Sequence, residues 1–277
     1  IVEVSSYQAT DLWSSPAVVA VTSLHEDHLD WHGGVDRYYA DKLSLCGRPG
    51  ARITVANGDD DRLRARAEAL RPGPRWVEVP EPVPAWVDAL GLRGRHSHLD
   101  AAIAVACLQE AGVDGAGDEE RLAGAAAGYE PLPHRLRTIA TLDGVEYVDD
   151  SLSTNVLPTL VAVEVFADRP LALLVGGFDR AIDYAPLAAA LAGRGAPTLV
   201  LALPQNGPRI AAALAAAGVG AEVCADLGDA VDRAAAWAEP GAVVLLSPAA
   251  ASYGLYADHR ARATAFAEAV AARGQNR

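Results

Sequence analysis

The chain contains no methionine, and of its 23 Lys+Arg side chains only Lys42 is a lysine. Without Met, the opening Ile1-Val2-Glu3-Val4 reads as a buried strand that lacks a lead-in. The expectation is that further chain precedes Ile1, so any leader segment is unreadable from these residues. Cysteine is scarce: Cys46, Cys107 and Cys224 lie far apart with no CxxC pair. That excludes a zinc framework or disulfide scaffold and suits reduced, packed thiols in the cytoplasm. Long apolar runs are missing as well. Glu164, Asp168 and Arg169 break the best candidate well short of the ~18 residues of a membrane span. Positive charge is in short supply, with 23 basic against 36 acidic side chains and a net charge of -13. Such a balance argues against nucleic acid and anionic membrane as partners. Finally, no GxxxxGK(S/T) phosphate loop can exist in a chain whose one lysine is Lys42.

What is present suits a well-packed α/β protein. The 277 residues are 51% hydrophobic, enough for two domains with full cores. Residues 1–4 and 17–24 (AVVAVTSL) read as largely apolar strands of a covered parallel sheet. Helix is expected at about 35–46, strand at 52–57, and an amphipathic helix at 60–70. A short strand follows at 76–79, then helices ending near Gly112 and at 118–127. Tyr129-Glu130-Pro131-Leu132-Pro133 stops helix and sheet alike, giving predicted domains 1–130 and 131–277. After it, strands at 137–142 and 145–149 flank an Asp143-Gly144 hairpin turn. Strands and helices then alternate to the end of the chain, a Rossmann-like pattern.

Chemistry concentrates at the polar ends of strands, where open parallel sheets bind ligands. His25-Glu26-Asp27-His28-Leu29-Asp30 packs three carboxylates and two imidazoles into six residues, with Lys42 on the helix that follows. A desolvated lysine can lose its proton near neutral pH; an arginine cannot. A carboxylate at Glu3 and a neutral imidazole at His28 could share Mg²⁺, although Mg²⁺ prefers oxygen. A solvated lysine retained by chance is an equal reading at this point. His134-Arg135 offers a cation for phosphate or an interdomain salt bridge. Asp149-Asp150-Ser151-Leu152-Ser153-Thr154-Asn155 offers carboxylates for ribose or metal, with Ser153 or Thr154 favoured as a plain N-cap. Gly176-Gly177-Phe178-Asp179-Arg180 lacks the third glycine of a dinucleotide fingerprint. Leu246 to Ser252 is a small-residue turn that a ligand could approach.

In order along the chain, these segments resemble the Mur ligases, ATP-dependent amide-bond ligases of peptidoglycan precursor synthesis. The similarity is strongest to the branch that adds glutamate. It rests on Glu3 to Gln8, Glu26 to Asp30, Lys42, His96 to Asp100, Leu132 to Arg135, Asp149 to Asn155, Gly176-Gly177 and Leu246 to Ser252. The resemblance implies a partial central ATPase domain followed by a Rossmann-like C-terminal domain, with a UDP-binding domain and the phosphate loop upstream. By the same resemblance, Glu3 and His28 are Mg²⁺ ligands. Lys42 carries a carbamate and helps hold a second Mg²⁺, and His28 and Lys42 are the catalytic pair. Ser5, Ser6 and Gln8 then meet the muramoyl substrate. Arg135 and Asp150 meet the phosphate and ribose of ATP, with Asp100 on the adenine side. Thr154, Arg180, Ser252 and His259 belong to the pocket of the incoming amino acid or its approach.

The substrates so implied are ATP, UDP-muramoyl-L-alanine and glutamate, joined through an acyl phosphate by a cytoplasmic monomer. Residues 1–277 alone are expected not to hydrolyse ATP. Four positions depart from the D-glutamate pattern: Leu152 and the Phe178-Asp179-Arg180 loop stand where lysines are usual, Asp100 replaces an asparagine, and His259 replaces an aromatic ring. They favour, slightly, the branch that adds L-glutamate. A folylpolyglutamate-synthase-like ligase and a non-catalytic nucleotide-binding module are the alternatives.

Overall fold

A computed structural model describes residues 1–275; the last two residues of the second predicted domain lie outside the described residues. The chain divides into two compact units, Ile1–Glu130 and Pro131–Arg277.

The first unit opens with helix α1 (Ser6–Asp11), strand β1 (Val18–Val21), and helices α2 (Leu29–His32) and α3 (Val35–Leu43). Strand β2 (Ile53–Asn57), helix α4 (Asp61–Arg64) and strand β3 (Pro74–Val77) follow, then helices α5 (Ala85–Ala89), α6 (Arg95–Glu110) and α7 (Glu119–Ala127). The three strands form a parallel sheet in the order β1-β2-β3. One cluster, with Val21, Leu24, Tyr38, Leu43 and Leu63, packs α3 and α4 against it. Val55, Leu99 and Ile103 form another beneath α6.

Two expectations fail in this unit. Ile1–Val4 is not a strand, and Ile1 and Val2 are exposed. An apolar run becomes a strand only where a ladder and a packing surface receive it, and none of these residues pairs with β1, the edge strand of the order β1-β2-β3. Residues 60–70 do not make one helix either. α4 stops at Arg64 and a 3₁₀ turn occupies Ala67–Ala69, while Leu63 and Leu70 both still reach the core.

The second unit begins with strands β4 (Arg137–Leu142) and β5 (Val145–Asp149), helix α8 (Val156–Val165), strand β6 (Leu171–Val175) and helix α9 (Ala185–Ala192). Strand β7 (Thr198–Ala202), helix α10 (Gly207–Ala215), strand β8 (Glu222–Val223), helix α11 (Leu227–Trp237), strand β9 (Val243–Leu246) and helix α12 (His259–Gln275) complete it. The sheet order is β4-β5-β9-β6-β7-β8. Only β4 is antiparallel to its neighbour. Its turn residues Asp143 and Gly144 both have positive φ (51° and 77°), as a tight hairpin requires. The run LALLV of β6 is wholly buried, as suits a strand covered on both faces. Val163, Leu187 and Ile210 of α8–α10 cover one face; Val231 of α11 and Phe266 of α12 cover the other. Asp149 and Leu174 both align with Leu246, so the loops after β5, β6 and β9 leave from one edge.

Candidate functional site

In the first unit the carboxyl end of β1 opens into the acidic, histidine-rich loop. Asp60 holds that loop: its Oδ2 accepts from Leu24 N at 2.8 Å while Oδ1 caps α4 through Arg62 N and Leu63 N. Asn57 adds a second staple by donating to Thr22 O at 2.8 Å. His28 sits at the head of α2 in the left-handed region (φ 51°). Its Nε2 lies 3.5 Å from Asp27 Oδ2 and its ring 5.1 Å from that of Tyr7.

Lys42 lies on α3, half-buried, with Nζ 3.4 Å from the Tyr38 hydroxyl and over its ring. Burial lowers the pKa of the amine, and the charge of Asp27 works against that shift. Burial also lowers His25, helped by Arg62. The neighbourhood thus moves an amine toward the neutral form that a carbamate needs.

Glu3 is exposed and on no strand. Among the described residues no three His, Cys, Asp or Glu side chains are grouped to hold a metal ion. Mg²⁺ is ordinarily held by one or two protein carboxylates, water and substrate phosphate, not by a closed protein cage. Glu3, and Lys42 if it carried a carbamate, would offer oxygen to an open site of that kind, whereas His28 offers a nitrogen.

Ser5, Ser6 and Gln8 open α1. Ser5 Oγ accepts from Gln8 N at 3.2 Å and Gln8 Oε1 accepts from Ser5 N at 2.9 Å, a reciprocal capping box. Ser6 is buried, with its hydroxyl 3.1 Å from Nε2 of His32. Asp100 is exposed on α6.

In the second unit Asp149 ends β5 and Asp150 follows it; they are 3% and 4% exposed. The chain itself occupies both. Asp149 Oδ2 lies 2.6 Å from Nδ1 of His134, and its Oδ1 accepts from Ser151 N and Oγ. Asp150 accepts from Leu136 N at 3.2 Å, Ser153 Oγ at 2.6 Å and Ser247 Oγ at 2.7 Å. Desolvation raises the Asp150 carboxyl to about 6, against those hydrogen bonds and the charge of exposed Arg135. The expected N-cap at Ser153 or Thr154 is corrected: Asn155 caps α8, because the Ser153 hydroxyl is spent on Asp150.

Beside them the loops after β6 and β9 are closely joined. Phe178 N donates to Ala251 O at 2.8 Å, and a Cβ at Gly177 would run into the Ala251 carbonyl. A cavity of about 230 Å³ opens there, lined by Gly176, Gly177, Gln205, Ser252, Tyr256 and Arg262 among others. Arg262 is 1% exposed and donates to Ala250 O and Ser151 O. Burial brings its guanidinium down to about 10. Of the four residues expected around an amino acid, Ser252 lines this cavity; half-buried Thr154, exposed Arg180 and His259, at the head of α12, do not. The His259 ring lies 5.7 Å from that of His134.

Sequence reasoning missed His32, Asp41, Asp60, Asn206 and Arg262. Asn206 receives Gly177 N and donates to the Tyr184 hydroxyl. Only Arg262 left a signal, a basic residue on an Ala-rich helix whose neighbours on that face are apolar.

Two family models match: the Mur ligase middle domain over residues 1–78 and the glutamate ligase domain of Mur ligases over 134–250. The UDP-N-acetylmuramoyl-L-alanine--L-glutamate ligase of Micromonospora sp. is 42% identical over 98% of the chain and 63% of its own length. Its counterpart in Salinispora tropica is 40% identical with the same coverage. The chain therefore spans about three fifths of the length of these relatives. Among solved structures, UDP-N-acetylmuramate-alanine ligase from Thermotoga maritima shares the fold. Its TM-score is 0.63 at 16% identity, covering 97% of this chain and 62% of that one.

Proposed function

Since the chain belongs to the Mur ligase family, we propose that it supplies two catalytic domains of an ATP-dependent ligase joining glutamate to UDP-muramoyl-L-alanine. The L isomer is the favoured substrate. Leu152, Arg180 and His259 depart from the D-glutamate pattern, and the relatives named above carry L-glutamate in their names.

The observation that carries the reading is Lys42. In a chain otherwise written with arginine, the one lysine is half-buried beside Asp27 and Tyr38, with its pKa lowered. A neutral ε-amine attacks CO₂, forms the C–N bond and releases a proton, turning a cation into an anionic oxygen ligand. Arginine cannot make that change. Glu3, His28 and the Lys42 carbamate would hold Mg²⁺, which supplies neutralisation of phosphoryl charge when bound. The α1 edge, with Ser6 the buried member, meets the muramoyl substrate. Arg135, on a loop tied to Asp150 through Leu136 N, meets phosphate. Ser252 and Thr154 serve the amino acid. In the reaction, the substrate carboxylate attacks the γ-phosphorus of ATP and ADP leaves. The glutamate amine then attacks the acyl phosphate, and phosphate and a proton depart.

The test is ligation by the polypeptide extended to the length of its relatives, with each isomer supplied separately. Turnover of L-glutamate above that of D-glutamate is expected. Equal or faster use of the D isomer overturns the preference, and no ligation of either overturns the reading. In the same assay Lys42→Ala is expected to lose at least about 100-fold in rate, with part restored by added bicarbonate or a short carboxylic acid.

A further inference from the structure

His32 closes α2, a four-residue helix too short to persist unaided. Its imidazole side chain is 0% exposed and packed by the rings of Tyr7, Trp31 and Tyr38 at centroid distances of 5.6, 4.5 and 5.0 Å. Each ring nitrogen reaches a different helix. Nδ1 lies 2.8 Å from Asp41 Oδ2 on α3, and Nε2 lies 3.1 Å from Ser6 Oγ on α1.

The polarity of this chain of bonds follows from its acidic end. A carboxylate only accepts, so Nδ1 carries the proton and donates to Asp41. In the neutral ring Nε2 is then the acceptor, and the Ser6 hydroxyl donates to it. A serine has one proton. Once it points into the ring, only lone pairs remain for anything outside.

We propose that Asp41 and His32 are positioning residues that lock the Ser6 hydroxyl as a hydrogen-bond acceptor, so that this edge selects a substrate N–H and disfavours a carboxylate. The proposal rests on the reading that the α1 edge meets the muramoyl substrate, whose amide groups supply such N–H donors. The relay also ties together the residues flanking it. Asp41 precedes Lys42 and His32 lies one helical turn after His28, so one buried ring links α1 to both.

Two experiments test it. The first needs no substrate: long-range ¹H–¹⁵N correlation spectra of the chain at about pH 8, where an ordinary imidazole is neutral. The His32 proton is expected on Nδ1 with Nε2 bare; a proton on Nε2 overturns the proposal. The second uses the extended ligase. Ser6→Ala and Asp41→Ala are each expected to raise KM for the UDP-muramoyl substrate about tenfold, with KM for ATP within about twofold. Asp41→Asn, whose amide oxygen can still accept from Nδ1–H, is expected to stay near the parent. Because Asp41 acts through Ser6, the double alanine variant should be no worse than Ser6→Ala alone. Additive losses, or an equal rise in the KM for ATP, overturn the relay while leaving the ligase reading intact. If the extended parent ligates nothing, the ligase reading falls, and the tautomer then decides the relay's polarity by itself.

Discussion

Asp150 shows at a single residue how much of this chain lies beyond local reading. Asp149-Asp150 is conspicuous in the sequence as a pair of carboxylates at a strand end. What they bind is not, because their partners come from afar: His134 from 15 positions before Asp149, and Ser247 from 97 positions after Asp150. The buried hub has a pH signature. Its carboxyl is raised from 3.8 to about 6, so the folded chain binds that proton more tightly than the unfolded chain does. The associated stability is full below the ordinary carboxylate range and is lost as pH climbs through about 6. Asp150→Asn removes the ionisation while an amide can still bond Leu136 N and the two serine hydroxyls. Denaturant unfolding followed from about pH 4 to pH 7 should show the parent losing roughly 2 kcal/mol more than the variant. Parallel curves would refute this. His32 was invisible for the same reason: one aromatic residue looks alike on the surface and in a core.

Among the elements, strands and helices of the second unit were readable because their signals are local. LALLV, the Asp143-Gly144 turn and the Ala-rich helices each state their own conformation. Ile1–Val4 has the same apolar signal and forms no strand, since a strand's second requirement, a ladder partner, is not written in the strand. Helix ends carry separable consequences. Ser5 caps only α1, and Ser5→Ala is expected to cost about 1 kcal/mol. Asp60 holds three N–H groups, one of them 36 positions away, so Asp60→Ala should cost about 3 kcal/mol and unfasten the His25–His28 loop. Unfolding curves measure the first difference; faster amide exchange at Leu24 in the Asp60 variant checks the second. Equal losses in the two variants would mean that the staple is idle.

At the scale of the molecule, the two units carry separate cores. The six-stranded sheet of the second is covered by apolar clusters on both faces, the condition for independent folding. Residues 131–277 expressed alone should therefore unfold in a single cooperative transition, with protected amides in β5, β6 and β9. Circular dichroism and hydrogen exchange would register the opposite, a molten chain without protection. The ordered family resemblance was legible because motifs survive at strand ends. The pocket around Arg262 was not, since four loops and two helices from distant parts of the sequence assemble it.

The half-buried Lys42 makes the chain its own chemical reporter. Guanidinium groups do not acylate under mild conditions, so an amine-selective reagent meets one side-chain target in 277 residues. With isotopically labelled carbon dioxide, a carbonyl resonance present in the parent and missing from Lys42→Arg would then mark the side-chain carbamate, apart from any signal of the chain's α-amine. Its disappearance on labelling would count, molecule by molecule, how often that amine is free.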